Sequence, residues 1–377
     1  MANEHLSRLE AVIADVVAPT AAMLDREGTF PRKAVDALGA AGILGLTSQE
    51  RPGGAGAGMR DAVAVIERLS QACGSTAMVV LMHYAAVPII VAHGPQEVRA
   101  AIADGRHLTT LAFSEAGSRS HFWAPMSTAA PGGAEGVRLD AHKSWVTSAG
   151  EADSYVWSSR PLRADAGSTL WLVRSDAPGL AVAGAFDGLG LRGNASRPVR
   201  AEHVEVPVSA MLGPDGSGLD LSMQLVLPWF LVLSAAFSLG LMRGTVREAV
   251  AHLTGTRLEH LNQTLAEQPL VRYDIGRMQM QMDQTAALIE HTLSGLENGA
   301  DNALLRVLEV KAAAAESAIA VTDLAMKACG GAAFRRELGI ERRFRDARAA
   351  RVMAPTTDRL VDFVGRAVCG MPLLDAV

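Results

Sequence analysis

Cysteine is scarce in this sequence: Cys73, Cys329 and Cys369 are the three among 377 residues. Their number is odd and their spacing wide. That excludes a disulfide framework and a metal-binding set, so a reducing, cytoplasmic compartment is expected and no metal. Aromatic residues make up 5% of the chain while alanine is abundant, a balance that favours closely packed helices. Positive charge is not in excess. A net charge of −5 lacks the basic footprint of a nucleic-acid binder. The first ten residues, MANEHLSRLE, carry acids and no apolar core, so no secretory signal is expected. Long apolar runs are few as well. Residues 225–242 form one, long enough to test as a membrane span, but Pro228, Ser234, Ser238 and Gly240 interrupt it. With no second span and no basic anchor before it, it reads as the central helix of a soluble bundle, with no membrane partner.

Nearly half the residues, 49%, are apolar, enough for a sizeable core. The pattern along the chain falls into three parts. Residues 1–108 read as an N-terminal α-helical domain, with apolar residues at helical spacing over 7–24, 30–41, 61–73, 75–91 and 96–104. Pro31 suits a first turn, and Pro52-Gly53-Gly54 marks a loop. Residues 109–216 read as a central β-domain, with strand-like runs at 137–139 leading to 144–147, then at 154–158, 169–174, 180–183 and 201–206, the last closed by Pro207. Short strands at this spacing predict a small antiparallel sandwich or barrel. Residues 217–377 return to the helical period at 219–254, 269–298, 302–329 and 356–369, a four-helix bundle. In the third of these, Leu304, Leu308, Ala312 and Ala315 share a face. The fold class expected is therefore mainly α with an inserted β-domain.

The stretch 327–356 draws attention next. Gly330-Gly331 closes an alanine-rich helix, and an arginine-dense segment follows, from Arg335 to Arg351. Paired glycines let a backbone approach a bulky ligand, and arginines neutralise phosphate by bidentate hydrogen bonds. The same residues also read as a helix C-cap followed by a solvated basic helix. Both readings stay open on composition.

The order of elements and several short strings together resemble the acyl-CoA dehydrogenase superfamily of flavoproteins, nearly end to end. Phe113-Ser114-Glu115-Ala116-Gly117-Ser118 is similar to the family's TEPxAGS loop, shortened by two residues, and Lys143-Ser144-Trp145-Val146-Thr147 to its KxWIT strand. Gly190-Leu191-Arg192, with Ser196, resembles a later strand of the β-domain. Gly330-Gly331 with Arg345-Asp346 resembles the GGxG…RD segment, with Ala333 in place of the last glycine. The resemblance implies FAD as cofactor. Ser114 would hydrogen-bond the flavin ring, Ser118 lie by the pyrophosphate, Trp145 wall the isoalloxazine and Thr147 sit near its N5 edge. Thr356, like the threonine closing the family's YEGT, would contact the flavin as well. Gly330 and Gly331, and Arg257 of a segment like RxQFG, would reach the FAD of a neighbouring subunit in a homotetramer or homodimer. Such roles suit a flavin, which needs hydroxyls and N–H groups at its polar edge, an aromatic wall and donors for its pyrophosphate.

The pattern departs from the family where a glutamate base would take the α-proton of an acyl thioester. Aligned on Arg345-Asp346 and Thr356, that position is Ala354; the position some members use at the start of the first bundle helix is Trp229. Phe230 stands where an arginine is usual on the substrate side. General-base catalysis is worth roughly 10²–10⁴ in rate, so a relocated base is needed for dehydrogenation. The candidates are His83, beside Tyr84 on the helix whose family counterpart lines the acyl pocket, and His121 in the loop after Ser118. His83 also reads as a core histidine, His121 as a solvated loop residue, and Asp358 as part of a helix start. Tyr84, Trp229, Phe230 and Ala354 are the expected substrate-pocket residues.

Three functions follow from the resemblance. One is an FAD enzyme oxidising a small acyl thioester or related activated acid, reoxidised by an electron-transfer partner or oxygen. Another is a flavin-dependent monooxygenase on the same scaffold, fed reduced flavin by a reductase. The last is a non-catalytic flavin-binding subunit. Fold alone does not choose among them.

Overall fold

The computed structural model describes residues 2–48, 56–118, 121, 123–133 and 136–374. The expected Pro52-Gly53-Gly54 loop lies outside them, as do Arg119, Ser120 and Phe122 around His121. The chain divides into two compact units. One comprises Met1–Val65, Met78–Asp187 and Arg192–Phe230; the other comprises Ile66–Ala77, Gly188–Leu191 and Leu231–Val377.

The helical start of the chain runs α1 (Ala2–Val12), a π-turn (Ile13–Val17), α2 (Ala18–Glu27), α3 (Arg32–Ala40), α4 (Met59–Ala72), α5 (Gly74–His93) and α6 (Gln96–Ala103). Apolar residues surround α5 on every side, and Val79, Val80, Leu81, Ala85 and Ile89 are all buried, as a helix without a polar face requires.

In the β-domain, β1 (Thr109–Ala112) lies parallel to β4 (Ser154–Ser159), which pairs antiparallel with β5 (Thr169–Arg174). A second, wholly antiparallel sheet orders β2 (Thr128–Pro131), β3 (Gly136–Val146), β7 (Arg197–Pro207) and β6 (Leu180–Val182). β1 and β2 carry no strand signal in the sequence. Each is four residues long, and pairing with a longer neighbour, not its own pattern, makes it a strand. Gly190-Leu191-Arg192, expected as a strand, is irregular chain. Leu191 has a positive φ of 52°, and its N–H donates to Asp346 at 2.6 Å instead of joining a ladder.

Burial along β3 alternates: Val137, Leu139, Ala141 and Lys143 face inward. A lysine at an inward position has to be matched. Its ammonium donates to Glu115 Oε1 at 2.6 Å and to Ser158 O and Oγ at 2.7 and 3.0 Å. It also lies over the Trp157 ring, 5.2 Å from its centroid. Burial lowers Lys143 to about 8 despite Glu115. Burial on its own would raise the Glu115 carboxyl. The Lys143 ammonium, Ser127 and the Met126 N–H outweigh it and hold the carboxyl below its ordinary value. The pair is therefore ionised at neutral pH. Asp215 makes a second clasp, accepting from the Leu162, Arg163 and Ala164 N–H groups at 2.8, 2.7 and 2.9 Å and from Thr169 Oγ1 at 2.5 Å. Burial acts to raise its carboxyl, but these donors prevail and bring it down to about 2.

The second part of the chain runs α7 (Gly218–Leu221), a π-turn (Ser222–Val226), α8 (Leu227–Gly255), the two-residue strands β8 (Arg257–Leu258) and β9 (Gln263–Thr264), then α9 (Pro269–Glu297), α10 (Ala303–Cys329), α11 (Ile340–Val352) and α12 (Thr357–Val368). A second long apolar run, missed in the sequence, joins the expected one: the helical stretches Gly74–His93 and Gly218–Gly255 are both long and apolar enough to cross a membrane, and 83% of the most apolar 18 residues of each is buried inside the protein. Within the second unit, α10 packs against α9, α11 and α12. Gly240 and Gly244 let α8 touch the end of α4. A Cβ on Gly240 would meet Ser70 Oγ at 2.0 Å, and one on Gly244 would meet Gln71 O at 2.7 Å.

Helix α11, additional to the four expected, contains Arg342 to Arg351 of the arginine-dense segment, with Arg335 and Arg336 before it. Its charges are matched within the unit. Arg343 bonds Glu248 and Gln71 O, Arg345 bonds Glu341 and Leu189 O, Arg348 pairs with Asp323, and Arg351 pairs with Glu316. These four arginines are engaged by carboxylates and carbonyls of the fold, as a basic helix packed within its own unit requires.

Two outcomes are expected in denaturant titrations. Lys143→Met leaves a buried carboxylate unpaired and lowers stability by about 3–5 kcal/mol, and adding Glu115→Gln recovers part of that loss. Asp215→Ala costs about 1 kcal/mol at neutral pH once solvent screening is discounted. Because the folded carboxyl lies at about 2, below its ordinary 3.8, that difference shrinks as pH falls from about 4 to about 2.

Candidate functional site

The β3–β7 register shifts between Lys143 and Val146, where three steps on β3 oppose two on β7. This is a β-bulge, and it reverses the alternation of β3. By parity Trp145 belongs with Lys143 on the inward face. With φ at 54° it turns outward, and the side chain is 68% exposed. Holding a tryptophan open to water forgoes the burial energy of a large apolar surface. Such a residue is best explained by something that stacks on it.

Trp145 borders a cleft of about 490 Å³ lined also by Glu115, Ala116, Gly117, Ser144 and Pro198, a size typical of small-molecule sites. Ser114 directly precedes the lining residue Glu115, its carbonyl accepting from Ser144 N–H at 2.9 Å. Gly117 takes a φ of 91°, and Ser118 closes the turn by donating from Oγ to Glu115 O at 3.1 Å. Thr147 follows the bulge and is buried. Ser114, Ser118 and Trp145 are thus gathered on one loop-and-strand corner, fixed from beneath by the Glu115–Lys143 pair. The same carboxylate receives Ser127 N–H at 3.1 Å, tying the far end of the loop.

The histidines differ. His83 is fully enclosed, with Nε2 3.0 Å from Leu44 O and Nδ1 accepting the Thr109 N–H at 3.2 Å. A carbonyl only accepts, so Nε2 carries the proton, and both nitrogens are engaged by backbone. Burial lowers its pKa to about 4. This makes His83 a core histidine and removes it as a base. Tyr84 is equally enclosed and donates to Ile43 O. Its hydroxyl and ring are used by the core, which corrects its assignment to a substrate pocket. His121 is half-buried; Nδ1 is 2.8 Å from Ser118 O, and the ring meets Trp123 edge-on at 4.8 Å.

At the end of the first unit, Trp229 is half-buried and Phe230 buried. In the second unit, Gly330 and Gly331 are exposed, and a Cβ on either would meet nothing within 4 Å. Arg257 is exposed on the short hairpin, where it bonds Asn262. Ala354 is half-buried ahead of Pro355, and Thr356 stands at the N-cap position of α12. Asp358 is exposed in the first turn of that helix.

A flavin suits the β-domain corner. The exposed indole offers a flat apolar wall, the turn brings backbone and hydroxyls beside it, and the cleft has room for a ring system. Two buried lysines carried no role in the sequence: Lys143, which shapes this corner with Glu115, and Lys311 in the second unit. Their signal is phase. Lys143 shares the inward parity of Val137, Leu139 and Ala141, and Lys311 lies three residues from Leu308 and four from Ala315 on the apolar face of α10.

Comparison with known proteins agrees along the whole chain. Residues 3–104, 110–204 and 216–369 match the N-terminal, middle and C-terminal domains of acyl-CoA dehydrogenase. The human mitochondrial short-chain specific acyl-CoA dehydrogenase is 27% identical over 347 residues, covering 90% of this chain and 83% of that protein. Cyclohex-1-ene-1-carbonyl-CoA dehydrogenase of Geobacter metallireducens is 26% identical over 381 residues, covering 97% and 99%. The solved butyryl-CoA dehydrogenase of Megasphaera elsdenii superposes with a TM-score of 0.91 at 20% identity, covering 98% of each chain. With three domain matches in order and the fold they share, this chain belongs to the acyl-CoA dehydrogenase superfamily of FAD-dependent oxidoreductases.

Proposed function

We propose that the chain oxidises a small acyl thioester, with a proton acceptor other than the family's glutamate. The observation that carries the reading is the outward-turned Trp145 beside the Ser114–Ser118 loop, in a chain similar over most of its length to dehydrogenases named for short acyl-CoAs. FAD, when bound, supplies the hydride acceptor. Trp145 walls its ring, Ser114 hydrogen-bonds the ring, Thr147 sits near its N5 edge, and Ser118 lies by its pyrophosphate. Thr356 adds a further flavin contact. Gly330, Gly331 and Arg257 serve the cofactor of a neighbouring subunit in a homodimer or homotetramer. Trp229, Phe230 and Ala354 line the acyl side with apolar surface. His121, half-buried in the loop after Ser118, takes the α-proton. An electron-transfer protein or oxygen restores the oxidised cofactor, in the cytoplasm.

A specific observation favours a second reading. Neither Ala354 nor Trp229 supplies a carboxylate, and a monooxygenase using reduced flavin and oxygen needs no base at an α-carbon.

The deciding experiment mixes FAD-loaded protein, without oxygen, with short and medium acyl-CoAs and follows the flavin absorbance. Bleaching is expected, slowed about 10²–10⁴-fold by His121→Asn. Ala354→Glu, which installs a carboxylate at the family position, is expected to accelerate it at least about tenfold. No bleaching in either protein, with oxygenation of an added substrate by the reduced enzyme, would replace this reading by the monooxygenase. Neither reaction would leave a flavin-binding subunit.

A further inference from the structure

Lys311 sits in the middle of α10 among Val310, Ala312, Ala314 and Ala315, and is itself buried. Its Nζ donates to three backbone carbonyls: Ala350 at 3.1 Å, Met353 at 2.9 Å and Pro355 at 2.7 Å. Ala350 belongs to the last turn of α11, Met353 is its C-cap, and Pro355 stands one residue before the N-cap of α12. The last carbonyls of a helix have no partner within it, and they favour a nearby cation. One ammonium therefore holds the end of α11 and the approach to α12, and the residues between its partners include Ala354.

We propose that Lys311 is a positioning residue that sets the backbone of residues 350–356, and through it the placement of Ala354 and Thr356. The functional half of this inference rests on the reading of Thr356 as a flavin contact; the geometric half stands without it. Burying an ammonium is costly, and desolvation lowers Lys311 to about 7. A methionine would fill this apolar helix face at no such cost. The lysine is explained by what its three donors arrange. Turns without a cation at this point would satisfy the same carbonyls with water or side chains, at the expense of a single backbone path.

Lys311→Met and Lys311→Gln test this, with Ile289→Ala as a control that weakens the core of α9 in the same unit without touching the turn. FAD affinity and the visible spectrum of the bound cofactor are measured on all proteins, with amide hydrogen exchange on the apoproteins. Lys311→Met is expected to speed exchange at residues 353–357 selectively. It should also raise the FAD dissociation constant at least about tenfold beyond the control at matched loss of stability, the scale of one lost charge-assisted hydrogen bond. Lys311→Gln, which keeps two donors, is expected to lie between. Affinity, spectrum and exchange that simply follow global stability, as in Ile289→Ala, would overturn the inference. If the wild-type protein binds no FAD, the reading of the site fails instead, and the exchange pattern alone decides the role of Lys311.

Discussion

An ammonium removed from water has to be surrounded by acceptors, and this chain meets that demand twice. Lys143 is enclosed between the two ends of the Ser114–Ser127 loop and β4; Lys311 is enclosed by the turn between α11 and α12. In neither case does the charge serve the surface. The acceptors are carboxylate, hydroxyl and carbonyl oxygens, some on a regular element (Ser158 of β4, Ala350 of α11) and some on the irregular backbone beside it, so each lysine ties irregular backbone to a strand or helix. Of the residues expected to meet the cofactor, Ser114 and Ser118 lie on the first of those irregular segments and Thr356 on the second.

Carboxylates do the complementary work. Glu115, Asp215 and Asp346 each accept backbone N–H groups from loops distant in sequence: Met126 and Ser127, residues 162–164, and Leu191. Asp346 also lies close to Gly74, where a Cβ would come within 2.6 Å of its Oδ2. A buried N–H must be paired, and a carboxylate with two oxygens pairs several at once. The result is a set of loops held by single side chains, which is why one substitution in such a chain has effects spread over many residues.

The layering of the fold was legible because long amphipathic and apolar periods decide it; the order of helices, strands and helices follows from them. The strands β1 and β2 were not, since four residues carry too little pattern and their pairing comes from β4 and β3. The bulge at Ser144-Trp145 was invisible for a related reason. Alternation continues smoothly through 144–147 in the sequence, and only the two-against-three pairing with β7 turns Trp145 outward. Motif likeness picked out Ser114, Ser118 and Trp145, which the fold gathers at one corner. It also nominated His83, whose two backbone hydrogen bonds join residues 26 and 39 positions away, beyond the reach of any local pattern. The two lysines could have been found by asking which charges fall in phase with apolar neighbours.

The π-turn at Ser222–Val226 has a bearing on how this chain compares with its kin. A π-turn holds one residue more than the α-helical count and turns everything beyond it by roughly 100°. It is a place where a lineage can gain or lose a single codon without breaking a helix. Gain or loss of one residue within it would re-aim the side chains just after it, Trp229 and Phe230, together, as effectively as substituting them.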